Sequence, residues 1–243
     1  KFVSDLGVSA FKIASADMTN IPLLNLCNSF GLPMLISTGM WSDEDIRNCT
    51  EIYKKNNFNY ALLLAQSTYP APYETLNLNY LNKLKEYSDV IGYSGHERGT
   101  FIPIAAVTMG CKIIEKHITF DKTQQGPDHK ASMLPNEFKE MVSNIRMLEK
   151  ALGNTKSVNQ AEIQNKEAFA KSAVPIRDLP VGHVLIKSDV VFKSPGKGIF
   201  AHQIGEYFGK VLKNNVKKDH YINKTDFQDI VKISEWKSFE FSK

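Results

Sequence analysis

Apolar positions along the first 150 residues recur in one unit: a short apolar run that reads as a strand, a polar loop, then apolar residues at helical spacing. Phe11 to Ala14 (FKIA) is the first run, followed by a helical pattern through Leu23, Leu24, Leu26 and Phe30. Pro33 to Ile36 predicts a second strand ending in Ser37-Thr38-Gly39-Met40, and Ser42 with Asp45 three residues on reads as a capping box for a helix through Tyr53. Tyr60 to Leu64 (YALLL) predicts a third strand, with Pro70 and Pro72 forcing an extended loop beyond it. Val90 to Tyr93 and Lys112 to Glu115 predict the fourth and fifth. Between them, Ile102 to Met109 is apolar enough for a helix pressed on a sheet.

Strands alternating with helices at this spacing predict five parallel βα units, an α/β fold. A closed (β/α)₈ barrel needs eight units and about 250 residues, so the chain would supply part of one. An open doubly wound sheet of five strands is the alternative, and the periodicity does not separate the two. The pattern changes after Gly153. Residues 1–153 read as the βα part and 154–166 (NTKSVNQAEIQNK) as a polar linker. Beyond it, short β-prone pieces between turn residues (Ser172 to Ile176, Val190 to Phe192, Lys210 to Leu212) predict a small turn-rich domain over 167–230. Residues 231–243 read as a tail.

Composition narrows the class. With 243 residues and 42% apolar content the chain can bury one large core and one small one. A net charge of +4 with scattered lysines argues against a nucleic-acid stripe. No run of about 18 apolar residues reads as a membrane span, and no signal-peptide pattern is found. Cys27, Cys49 and Cys111 have neither pairing nor metal spacing, which predicts a reducing, cytoplasmic setting with Cys111 as packing. The chain begins at Lys1, directly before a strand-like segment, and is expected to be a piece of a longer protein.

The candidate chemistry lies where strands end, since loops there vary while strands stay fixed. Residues 111–133 (CKIIEKHITFDKTQQGPDHKASM) run from a β-branched strand into a loop rich in groups that bind cations, anions or sugars. Residues 89–96 (DVIGYSGH) have the same form, so His96 and His117 each leave a strand end, and two such histidines suggest a metal. Plainer readings stand beside these. A histidine after a strand is commonly a surface group; Ser37 and Ser94 fit helix caps; Asp128 fits an Asx-turn beside Gly126 and Pro127. Lys12, inside an apolar strand, implies an anion, because an unpaired buried lysine is costly. His129 reads as loop structure or a partner to the site, and His183, His202 and His220 as surface.

KIASAD (12–17), STGM (37–40), YP (69–70), IGYSGHE (91–97), EKHIT (115–119), DKT (121–123) and GPDHKAS (126–132), in this order and spacing, resemble the sialic acid synthase family. NKEAFAKSAV (165–174), SPGKGI (194–199) and FGK (208–210) resemble its C-terminal antifreeze-like (SAF) domain. The resemblance implies the C-terminal five units of a TIM barrel followed by that domain. It also implies condensation of phosphoenolpyruvate with an N-acetylmannosamine-type aldehyde sugar, giving a nine-carbon keto acid and phosphate. His96 and His117 match the family's metal ligands, for Mn²⁺ first and Mg²⁺ or Co²⁺ next. Lys12, Ser15, Ser37 and Ser94 match the phosphoenolpyruvate pocket, and Ser67 is a substrate-binding residue on the sugar side. Tyr69 and Asp128 match sugar contacts, and Asp17 matches a further acid, making Asp17 and Asp128 the expected catalytic carboxylates. Family members are homodimers in which one chain's antifreeze-like domain caps the other's barrel.

Several positions depart from many bacterial members: Ser67 for Asn, Asp17 for Glu, Gly95 for Asp, and Ser194 for an arginine that reaches a neighbouring subunit's sugar. The first three resemble the animal branch, which acts on a 6-phosphorylated sugar. Lys193 could replace the arginine's charge but not its bidentate geometry. A related synthase for a legionaminate or pseudaminate precursor is a second reading, and a non-catalytic partial barrel without metal affinity a third. Family members carry three more βα units ahead of Lys1, with a phosphoenolpyruvate-binding lysine and a glutamate, so residues 1–243 alone are expected to be inactive.

Overall fold

The apolar runs become five parallel strands. In the computed structural model, which describes residues 1–228, the first unit runs α1 (Phe2–Asp5), β1 (Phe11–Ile13), α2 (Ile21–Asn28), β2 (Met34–Ser37), α3 (Asp43–Lys55), β3 (Tyr60–Ala65), α4 (Leu81–Tyr87), β4 (Ile91–Gly95), α5 (Phe101–Thr108), β5 (Ile113–Lys116) and α6 (Pro135–Ala151). The chain divides between Asn154 and Thr155 into two compact units. The tail read at 231–243 lies outside the described residues, as do 229 and 230.

The strands are ordered β1-β2-β3-β4-β5 and every neighbouring pair is parallel. A doubly wound sheet reverses strand order part-way across, so the sequential order marks barrel winding. The sheet is strongly curled. At about 4.8 Å per step, β1 and β5 would lie about 19 Å apart in a flat sheet, yet Lys12 Nζ on β1 lies 3.4 Å from Glu115 Oε2 on β5. Alternation along each strand then divides the residues between two faces. Phe11, Ile13, Met34, Ile36, Leu62 and Leu64 are buried in the core, with Leu24, Ile46, Tyr53, Leu81 and Leu84 from the flanking helices. Lys12, Ser37, Ser94 and Glu115 share the concave face.

Local chemistry sets the element ends. Ser42 Oγ accepts the Asp45 N–H at 3.2 Å and Asp45 Oδ2 accepts the Ser42 N–H at 3.1 Å, the reciprocal cap read from the sequence. Residues 2–5, to which the sequence reading assigns no element, form one helical turn. Residues 135–151, to which the sequence reading assigns no element, form a 17-residue helix: Pro135 starts it, Glu137 Oε2 accepts the Leu134 N–H at 2.8 Å, and Met141 and Ile145 bury its inner face. Cys27, Cys49 and Cys111 are all free and buried. Among the described residues no helix is long and apolar enough to cross a membrane.

The second unit pairs β6 (Ser172–Pro175) antiparallel with β7 (Val190–Lys193), and isolated bridges such as Leu179 to Val216 and Val184 to Val211 complete it. Ala173, Leu179, Leu185, Ile199, Leu212 and Ile222 form its core. The segment read as a linker over 154–166 becomes helical from Gln160, where α7 (Gln160–Phe169) begins, capped by Asn159 and Glu162. This helix packs on the Pro195-Gly196 turn: a Cβ on Gly196 would lie 2.3 Å from the Lys166 carbonyl oxygen. His183, read as surface, is half-buried, with Nε2 2.7 Å from Oδ2 of the buried Asp189. Asp189 also accepts from Arg177 at 2.8 Å and from the Ile186 N–H at 3.1 Å. Burial pushes this carboxyl up, but the hydrogen bonds from His183, Ile186 and Arg177 outweigh it and hold the group below its ordinary range. Lys193 pairs with Asp219, and the Ser194 hydroxyl lies between Lys171 Nζ (2.8 Å) and the Phe169 carbonyl (3.1 Å).

Candidate active site

The C-terminal ends of the five parallel strands gather most of the expected residues. His96 and His117 follow β4 and β5, and their ring centroids are 5.3 Å apart at 62°. Tyr69, beyond β3, lies against both, 4.1 Å from the His96 ring and 5.6 Å from that of His117. The His96 ring is buried, and its Nδ1 is 2.6 Å from the Gln66 carbonyl oxygen. A carbonyl only accepts, so Nδ1 carries the hydrogen and Nε2 keeps its lone pair. Burial first, then the neighbouring His117 and Lys116, push the His96 imidazole down, against the Gln66 contact, so the ring is neutral at pH 7.

Lys12 Nζ donates to Ser37 Oγ at 2.8 Å and to the Ile13 carbonyl at 2.9 Å. The side chain is 34% exposed, so the burial cost inferred from its apolar strand does not arise: alternation turns the ammonium onto the open concave face, where Glu115 faces it. The sequence reading treats Glu115 only as a strand-end residue, whereas strict alternation along β5 puts it beside Ser94 and opposite Lys12. Ser15 Oγ accepts the Gly39 N–H at 3.0 Å. A Cβ on Gly39 would lie 2.3 Å from Ser67 Oγ and 2.9 Å from Ser15 Oγ, so the missing side chain leaves a cradle between two hydroxyls. With Lys12 and the buried Ser37 and Ser94, these groups can hold a phosphate and a carboxylate.

Asp128 is exposed, with Oδ2 3.9 Å from His117 Nδ1. Its carboxylate forms no turn: Asp121 makes the Asx-turn, accepting from Thr123 N at 2.8 Å, while Asp128 contributes its carbonyl to Ser132. Burial, then the carboxylates of Asp128 and Glu115, raise the Tyr69 phenol. His129 is held by Thr119 at 2.8 Å. Asp17 is not gathered with the others: its Oδ1 accepts from the Asn20 amide at 3.0 Å at the start of α2. A cavity of about 850 Å³ lies behind the ends of β2 and β3, lined by Trp41, Asn77 and Tyr80 among others, and meets the cradle at Ser67.

Two imidazoles that converge from adjacent strand ends, one with its tautomer fixed by a carbonyl, form a donor set suited to Mn²⁺ and its neighbours. Among the described residues no third His, Cys, Asp or Glu completes a cluster with them.

A sequentially wound parallel half-barrel, with a lysine and a group of serine hydroxyls beside a histidine pair at its strand ends, is an α/β framework that gathers its polar chemistry at one end of the sheet. The comparisons agree. The NeuB family model matches residues 1–157 and the SAF domain model residues 170–228, and the chain belongs to the NeuB family. It is 36% identical to the N,N'-diacetyllegionaminic acid synthase of Campylobacter jejuni, over 90% of this chain and 67% of that protein. It is 37% identical to the N-acetylneuraminate-9-phosphate synthase of Homo sapiens, over 91% of this chain and 63% of that protein. The solved N-acetylneuraminic acid synthetase of Leptospira borgpetersenii matches with 38% identity and a TM-score of 0.60, over 67% of this chain and 57% of that one. The chain thus spans about two thirds of the length of its curated relatives.

Proposed function

We propose that this chain is the larger part of a metal-dependent synthase that condenses phosphoenolpyruvate with an N-acetylmannosamine-type aldehyde sugar, or its 6-phosphate, to give a sialic acid and phosphate. The observation that carries the reading is the convergence of His96, His117 and Tyr69 beside the Lys12 and Ser15–Gly39–Ser67 anion site at one end of the sheet. In this reading, C3 of the enol forms a bond to the aldehyde carbon, water adds at C2 and phosphate leaves, so atoms balance. Lys12 and the hydroxyls of Ser15, Ser37, Ser67 and Ser94 hold phosphoenolpyruvate through its two anionic ends. Glu115 balances the Lys12 charge until that anion arrives. Tyr69 offers the sugar an apolar ring and a hydroxyl, and Asp128 supplies a carboxylate to sugar hydroxyls and protons. A divalent cation held by His96 and His117, Mn²⁺ first, supplies electrophilic activation of the aldehyde. The protein acts as a homodimer, with the SAF domain of one chain covering the other's barrel and excluding water.

Phosphate release from phosphoenolpyruvate by the full-length protein tests this, with N-acetylmannosamine, its 6-phosphate and 2,4-diacetamido-2,4,6-trideoxyhexoses offered separately. Release with N-acetylmannosamine or its 6-phosphate supports the reading. Release only with a trideoxyhexose would make the protein a legionaminate- or pseudaminate-type synthase instead.

A further inference from the structure

Behind the histidine pair, on the helix-facing side of the sheet, lies a buried polar cluster that the proposed reaction does not use. Lys116 and Glu97 have fully buried side chains, and Lys116 Nζ donates to Glu97 Oε1 at 3.0 Å and to the Glu97 backbone carbonyl at 2.5 Å. The hydroxyl of the buried Tyr93 donates to Glu97 Oε2 at 2.6 Å. The carboxylate lies flat against Gly95, where a Cβ would come within 2.8 Å of Oε2 and 2.7 Å of the Tyr93 ring. Gly95 and Lys116 are the last paired residues of β4 and β5. His96 and His117 therefore stand one residue beyond the ladder, and no inter-strand ladder bond fixes the distance between them. Glu97 follows one histidine and Lys116 precedes the other, so one ammonium joins the two strand ends where the ladder stops.

Such a pair is a poor source of stability, because desolvating both charges offsets most of their attraction, and well-packed apolar side chains commonly do as well. What it supplies is a fixed position. We propose that Tyr93, Glu97 and Lys116 are positioning residues that set the spacing and ring orientation of His96 and His117 for a divalent cation, an inference that rests on the metal reading above.

The test uses the full-length protein labelled with ¹⁵N-histidine, in Glu97→Gln and, because one unpaired buried charge can unfold the chain, in the apolar triple variant Tyr93→Phe/Glu97→Leu/Lys116→Met. Circular dichroism checks folding. In the metal-free state the ring resonances of His96 and His117 are expected to move while those of His183, His202 and His220 stay in place. Mn²⁺ affinity is expected to fall by about 10- to 100-fold, as when groups that orient metal ligands are removed. Folded variants with unmoved site resonances and unchanged Mn²⁺ affinity would overturn the proposal. If wild-type protein binds no Mn²⁺ in a His96-dependent way, the metal reading falls, and shifted or unshifted ring resonances still decide the positioning role.

Discussion

Gly39 shows how one missing side chain can shape an anion site. An alanine there would collide with Ser67 Oγ at 2.3 Å, and the cheapest relief is rotation of that hydroxyl out of the cradle. The fold survives such a rotation, but on the proposed reading one donor to the phosphate would be lost. A hydrogen bond to a charged group contributes about 1.5–3 kcal/mol, so Gly39→Ala is expected to raise KM for phosphoenolpyruvate about 10- to 100-fold with little change in melting temperature. An unchanged KM would remove Gly39 from the site. Asp189 gives a residue-scale prediction in the second unit. Its carboxyl lies lower in the folded state than in the unfolded chain, so its ionised form stabilises the fold above the ordinary carboxylate range, and that contribution is lost as pH falls through the folded value. Thermal melts of the second unit's transition are expected to be flat from about pH 5 to 7 and to drop below about pH 4. Asp189→Asn should be less stable at neutral pH and lack that acid limb.

At the scale of the element, the capping box of α3 carries a direct expectation. Ser42→Ala removes the acceptor for the Asp45 N–H and should cost about 1 kcal/mol in denaturant unfolding; no change would mean the tertiary contacts of Ile46 and Tyr53 alone fix that helix end. The strands were legible because each is a short apolar run bounded by turn residues, and YALLLA at the sheet centre shows it most clearly. Their curl was not legible, since it lies in the pairing order rather than in any one run. Alternation along β5 separates two adjacent charged residues. It places Glu115 on the concave face and Lys116 behind it, whereas a reading by composition treats both as polar residues leaving the strand. Pro135 with Glu137 and the periodic Phe138, Met141 and Ile145 signalled α6, and Asn159 with Glu162 signalled α7 inside a segment whose polarity suggested a linker. The histidine pair was legible from two strand ends of the same form. That Tyr69 packs against both rings, and that Gln66 fixes the His96 tautomer, depends on a loop path that spacing alone does not define.

At the scale of the molecule, the described residues leave β1 and β5 each with one unpaired edge, and the concave face open between them. The curated relatives are about half as long again as this chain. Unpaired parallel edges and a half-lined active site predict that residues 1–243 alone release no phosphate; turnover by that piece would show that five strands suffice. The full-length protein is expected to elute as a dimer by light scattering. The most direct test of the central claim is phosphate release by full-length protein stripped of metal with a chelator and titrated with Mn²⁺ in the presence of phosphoenolpyruvate and its sugar. Wild-type protein should be inactive when stripped and restored by Mn²⁺, while His96→Ala, still folded, should not be restored. Release that persists without metal, or that His96→Ala retains, would contradict a synthase built on the His96–His117 pair.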